Sequence, residues 1–175
     1  PGLNAYRVPS LTATVLALTD DSQTIVALSA PMPAGSSGTT SQLTVCSNGF
    51  ISTASNGTSY TPTPAAMLAW PNLAWSVWRD FFPSAAGADN VYFEEVGGIV
   101  YVTWLNVLGY VGLVQGTTPS TFQFQFDIAT GNVHIVFQSM DTVSVSGWTG
   151  GEGWVVGYSP AGASADPGSV DLTTA

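Results

Sequence analysis

Lysine is absent from this 175-residue chain, and Arg7 and Arg79 are its only fixed cations against eleven Asp and Glu, a formal net charge of -9. Nothing here can neutralise a row of phosphates, which argues against nucleic acid as a partner; anionic membrane surfaces are disfavoured for the same reason. Charged residues of both signs make up only 7%, against roughly a quarter of an average globular domain. Solubility then falls to Ser, Thr, Asn, Gln, Gly and the acidic net charge, a texture typical of extracellular β-proteins. Cys46 is the single cysteine, so no internal disulfide can form, and on a strand pattern it reads as buried and inert. With one cysteine and one histidine, His134, ordinary zinc and iron–sulfur sites are excluded. No apolar run reaches the ~18 residues of a spanning helix, so membrane insertion is not expected. No basic region followed by an apolar stretch opens the chain, and Pro1 reads as the start of a processed or excerpted product.

What is present is alternation. Thr121 to Gln138, TFQFQFDIATGNVHIVFQ, reads as two strands about a tight turn at Thr130-Gly131. Phe122, Phe124 and Phe126 share one face and Gln123, Gln125 and Asp127 the other, as the two-residue period of a strand requires. Folding about that turn sets Phe126 opposite Ile135, Phe124 opposite Phe137 and Asp127 opposite His134. Phe122, Phe124, Phe126, Ile135 and Phe137 are the expected core. A second hairpin, Val91 to Trp104, turns at Gly97-Gly98 and pairs Phe93 with Val102 and Tyr92 with Thr103.

Around these hairpins the chain divides into an extended arm over 1–10, a domain over 11–160 and a Gly/Ala/Ser-rich tail over 161–175. Strands are expected at Leu11–Leu18, Thr24–Ser29, Gln42–Cys46, Phe50–Thr53 and Trp154–Ser159, with turns at Asp20-Asp21-Ser22 and Asn48-Gly49. Prolines break up 60–75, leaving one possible helical turn at AAMLAW. Residues 106–116 read as a Gly-containing connection, and Glu94 and Glu95 as solvated residues. Short strands with turn chemistry between them and almost no helix predict an all-β fold: one antiparallel β-sandwich of two packed sheets, jelly-roll-like, with very little helix. At this length one domain buries a core without disulfide or metal support.

The order of motifs is itself informative. SNGFIS (47–52), WRDFFPSAAGADNVYFEEVGG (78–98), VYVTWLNV (100–107), TFQFQFDIATGNVHIVFQSM (121–140) and VVGYS (155–159) together resemble the nidogen-like β-sandwich domain of extracellular matrix and bacterial surface proteins. The resemblance covers residues 42 to 160. Where the family often carries an acidic pair after the motif tryptophan, this chain has Arg79-Asp80. The resemblance implies a non-catalytic extracellular module with no ligand common to the family.

Candidate chemistry is sparse. Asp127 across from His134 could orient an imidazole toward Ser159, but GYSPA lacks the second glycine of a nucleophile elbow, and a cross-strand polar pair is the simpler reading. Glu94 and Glu95 are adjacent on a strand and point to opposite faces, so they cannot flank one glycosidic bond. No catalysis is therefore expected. No cofactor is required; calcium is the one possible metal, with Asp20-Asp21, and Asp80 with Asp89 and Asn90, as donors. Asn56-Gly57-Thr58 matches an N-glycosylation acceptor. Six tryptophans stand out, and Trp70, Trp75, Trp148 and Trp154 lie in irregular or Gly-rich segments where exposed rings could stack on sugars; Trp70, Trp75 and Trp154 read first as plugs at the ends of the sandwich, and Trp148 as the exposed ring. The expected function is adhesion or recognition by a secreted or cell-surface protein, toward a protein or surface-glycan partner. The alternatives are a carbohydrate-binding module and a structural subunit that self-associates into a coat or filament through its termini.

Overall fold

Phe122, Phe124 and Phe126 are fully buried, and the strand that carries them lies at the centre of the molecule. A computed structural model describes residues 5–35, 38–111, 114–115, 117–141 and 154–168. One sheet runs β1 (Thr14–Val15), β7 (Val91–Val96), β8 (Ile99–Val111), β10 (Ser120–Asp127) and β11 (Val133–Ser139), with β6 (Phe81–Phe82) and β9 (Val114–Gln115) also paired to β8. The other runs β12 (Val155–Ser159), β5 (Ala74–Trp78), β4 (Phe50–Ser52), β3 (Thr39–Cys46) and β2 (Gln23–Pro33). All these pairings are antiparallel. The expected sandwich is the fold. In the second sheet β5, β4, β3 and β2 are consecutive neighbours, whereas in the first β1 crosses to β7 and β8 pairs with β6 and β10 as well as with β7 and β9.

Between the sheets the three phenylalanines meet Val100, Val102 and Trp104 from β8 and Leu43, Val45, Ile51, Trp75 and Val77 from the facing sheet. Trp104 stacks on Phe122 with centroids 5.0 Å apart, and Trp75 meets Phe126 edge-on at 5.0 Å. Both outer faces are covered too. Helix α1 (Pro64–Leu68), N-capped by the Thr63 hydroxyl accepting from the Ala66 amide at 3.1 Å, lays Met67, Leu68 and Trp70 on Cys46, Phe50 and Trp78. Across the other sheet runs the N-terminal arm, tied to Gln123 and Gln125.

The Gly97-Gly98 hairpin has the expected register, Phe93 with Val102 and Tyr92 with Thr103, and both glycines have positive φ, as a type I′ turn demands. In the central hairpin the register differs by two residues: Phe126 pairs with Val133, Phe124 with Ile135 and Phe122 with Phe137. The reason is Asp127. Its carboxylate accepts from the Ala129 and Thr130 amides, so the chain turns over 128–132 instead of at Thr130-Gly131 alone. His134 consequently pairs with Gln125, not Asp127. Phe137 is 43% exposed on edge strand β11, whereas Ile135 packs partly into the core.

Other expectations also change. Leu11–Leu18 yields only the two-residue β1, and β2 runs on through Pro31 to Pro33. Prolines are tolerated there because β2 is an edge strand, and its register shifts between Ala27 and Met32. Residues 74–78 form β5, buried throughout, inside the stretch whose prolines suggested irregularity. Strand β8 continues to Val111 by absorbing a bulge at Asn106, whose φ of 47° is one that asparagine tolerates. Glu94 is buried at 8% and paired with Arg7 at 3.1 Å. The first residues of the predicted tail are held as well, with the Gly162 and Ser164 amides donating to the Trp70 and Leu68 carbonyls.

Candidate functional site at a buried polar turn

Ser47, Asn48 and Gly49 connect β3 to β4, and they form a polar knot inside an apolar fold. Ser47 and Asn48 are completely buried. Ser47 exchanges two hydrogen bonds with Ser22, and its carbonyl accepts the Trp104 indole N–H at 3.0 Å. The Asn48 amide nitrogen donates to Asp21 Oδ1 at 2.8 Å and to the Thr58 carbonyl, while its Oδ1 accepts from the Phe81 amide at 2.9 Å. Its carbonyl takes the Arg79 amide. Gly49 has φ of 81°, and a Cβ there would lie 2.2 Å from the Val77 carbonyl oxygen. Close backbone approach thus requires glycine, and full use of both ends of the amide requires asparagine. The turn binds the β1–β2 loop to the link between β5 and β6.

Those two segments carry the acidic residues. Asp20, Asp21 and Asp80 each bring a carboxylate oxygen within 4.8 Å of the others. Asp80 is buried at 7% exposure, and among the described residues its Oδ1 has no hydrogen-bond partner; the buried Oδ1 of Asp20 has none there either. Burial first, then the charges of Asp21 and Asp20, push the Asp80 carboxyl up to about 7, against a smaller opposing pull from Arg79. Burial and Asp21 raise Asp20 as well. The Arg79 guanidinium is turned elsewhere: it donates to the Asp141 carbonyl at 3.0 Å, approaches its carboxylate at 3.3 Å, and sits 4.8 Å from the centre of the Trp154 ring. Three carboxylates so placed offer hard oxygen donors for a cation.

The other sequence-predicted residues lie apart from this cluster. Asp89 accepts from the Asn106 side chain at 2.9 Å. Asn90 is spent on backbone, accepting from the Leu18 and Val91 amides and donating to the Leu18 carbonyl. The structure therefore joins Asp80 to Asp20 and Asp21, a grouping that sequence distance conceals. Trp70 and Trp75 are 6% and 8% exposed, too buried to offer a face to a sugar. Trp70 fills the outer cluster against Phe50 and Trp78, and Trp75 belongs to the core. Trp154 is half-buried between Arg79 and Phe81. Trp148 lies outside the described residues.

Asp127, His134 and Ser159 do not assemble as a triad: Asp127 caps its own turn, His134 pairs with Gln125, and Ser159 is buried on β12 of the opposite sheet. Asn56 of the glycosylation pattern uses its amide as a clasp, donating to the Asn72 carbonyl at 2.9 Å and accepting the Asn72 amide at 3.1 Å. Cys46 is buried, and burial pushes its thiol up to about 12. Compared with protein-family models, curated proteins and solved structures, this chain matches none of them.

Proposed function

We propose that this domain is a non-catalytic adhesion or recognition module of a secreted or cell-surface protein, directed at a protein or surface-glycan partner. The supporting observation is where the motif residues spend their polar groups. Ser47, Asn48, Trp104 and Asp127 all hydrogen-bond to the scaffold itself. A chain whose motif residues serve architecture suits a platform whose solvent-facing loops do the recognising. The scarcity of basic residues and the Thr/Ser/Gly surface fit an extracellular setting.

Self-association is the second reading, and one feature favours it. Strand β11 ends its sheet among the described residues and exposes Phe137 there, so a strand from another chain could pair alongside. The N-terminal arm lends this reading less support than its composition suggests, because Ala5 and Arg7 are bound to their own sheet. Size-exclusion chromatography with light scattering over a wide concentration range, followed by glycan-array and cell-surface binding, separates the readings. The recognition module is expected to remain a monomer and to be retained on a surface. Concentration-dependent ordered polymers, or a monomer that binds no surface, would overturn it. Glycan binding abolished by Trp148→Ala would narrow the partner to a sugar.

A further inference from the structure

The buried polar turn carries an inference independent of the recognition reading. We propose that Asp20, Asp21 and Asp80 form a binding site for one calcium ion, which joins the β1–β2 turn to the link between β5 and β6.

Acidic residues gathered on a surface would not support such a conclusion, since solvent and counterions satisfy them. Asp80 is different. It is 7% exposed, and its Oδ1 is buried from solvent with no hydrogen-bond donor among the described residues. An ionised carboxylate left so is among the costliest arrangements a fold can hold, and proteins relieve it by protonation, pairing or a metal. The donors around the cluster are already committed. The Asn48 amide nitrogen serves Asp21 and Thr58, the Arg79 guanidinium serves Asp141, and the Tyr110 amide serves the Asp80 backbone carbonyl instead of its side chain. Asp20 Oδ1 adds a second buried acceptor without a donor. A carboxylate oxygen from each of the three residues converges on one place, and the neighbouring Arg79 guanidinium is turned to Asp141 instead.

The spacing and chemistry favour calcium. Three oxygens within 4.8 Å of one another lie at most about 2.8 Å from a common centre, close to the ~2.3–2.6 Å at which calcium holds its oxygen ligands. Magnesium holds its ligands at about 2.0–2.1 Å in near-ideal octahedra, a poor match for side chains from two irregular loops. Zinc prefers nitrogen and sulfur, and the Cys46 thiol, held protonated by burial, is no thiolate ligand. Asn48 acts here as a positioning residue: by donating to Asp21 Oδ1 it fixes how that carboxylate faces the others.

The test uses the whole chain stripped with chelator, then titrated with CaCl2 by calorimetry and followed by thermal unfolding. One calcium per chain is expected, with an unfolding midpoint that climbs as calcium is added. Asp80→Asn keeps the shape and removes the buried charge. It should weaken calcium binding by about tenfold or more while leaving the chelated protein at least as stable as chelated wild type. Asn48→Ala should weaken binding by roughly 10–100-fold, as loss of a ligand-orienting partner does. Asp89→Asn, outside the cluster, should bind as wild type does. Calcium that produces neither heat nor a midpoint shift at millimolar concentration would overturn the proposal. So would binding undiminished in Asp80→Asn, or equimolar magnesium displacing the calcium.

Discussion

The two outer faces of this sandwich are both covered, but by opposite chemistry. Over the β5–β4–β3 face the cover is apolar: Met67, Leu68 and Trp70 close on Phe50 and Trp78, with the Trp70 and Trp78 rings 4.9 Å apart. Over the β7–β8–β10 face the cover is a strap of backbone. Gln123 donates to the Arg7 carbonyl and to the Thr103 hydroxyl, each at 2.7 Å, and accepts the Arg7 amide; Gln125 reaches the Ala5 carbonyl at 2.8 Å. Arg7 adds its pairing with Glu94 and lies 5.4 Å from the Tyr101 ring centre. Both glutamines are as fully buried as the phenylalanines between them. Burial on a strand face therefore does not require apolar residues where, as for Gln123 and Gln125, the side-chain amide nitrogens find acceptors. The apolar cover gains from water removed. The polar cover gains little net per hydrogen bond and loses much if one partner is taken away.

That contrast can be tested by substitution. Trp78→Ala in the apolar cover and Phe124→Ala in the layer both sheets share should each cost about 3–5 kcal/mol in chemical denaturation. Trp78 should sit at the upper end, because its indole N–H also donates to the Ser59 carbonyl at 2.8 Å. Gln123→Ala should cost less, about 1–3 kcal/mol, set by the Thr103 hydroxyl and the Arg7 backbone left without partners. A loss at Gln123 as large as at Trp78 would erase the distinction between the covers. Smallest of all, Phe137→Ser on the exposed end of β11 should change stability by no more than about 0.5 kcal/mol. A larger loss there would mean that Phe137 is covered in solution, as self-association through that edge requires.

The legible parts of the sequence were those where one rule acts alone. The alternation of Phe122, Phe124 and Phe126 names a buried face, and Gly97-Gly98 names its turn type and register. Where two rules compete, reading by pattern fails. The turn signal of Thr130-Gly131 was overridden by the Asp127 side chain, which captured two amides upstream and moved the pairing by two residues. The prolines around β5 concealed a strand because they lie outside it, at Pro62, Pro64 and Pro71. The acidic cluster is half visible in sequence: Asp20, Asp21 and Asp80 each read as donors, but nearness in the chain places Asp80 with Asp89 and Asn90.

By itself, then, the sequence determined the all-β class and the buried row of Phe122, Phe124 and Phe126. These follow from residue period, which needs no knowledge of what lies opposite. Only the tertiary structure decided that Gln123 and Gln125 are interior and that Asp80 faces Asp20 and Asp21. Each of these depends on which distant segment arrives to supply a partner. The Ser47-Asn48-Gly49 turn brings two such segments together by hydrogen bonds that local periodicity does not encode.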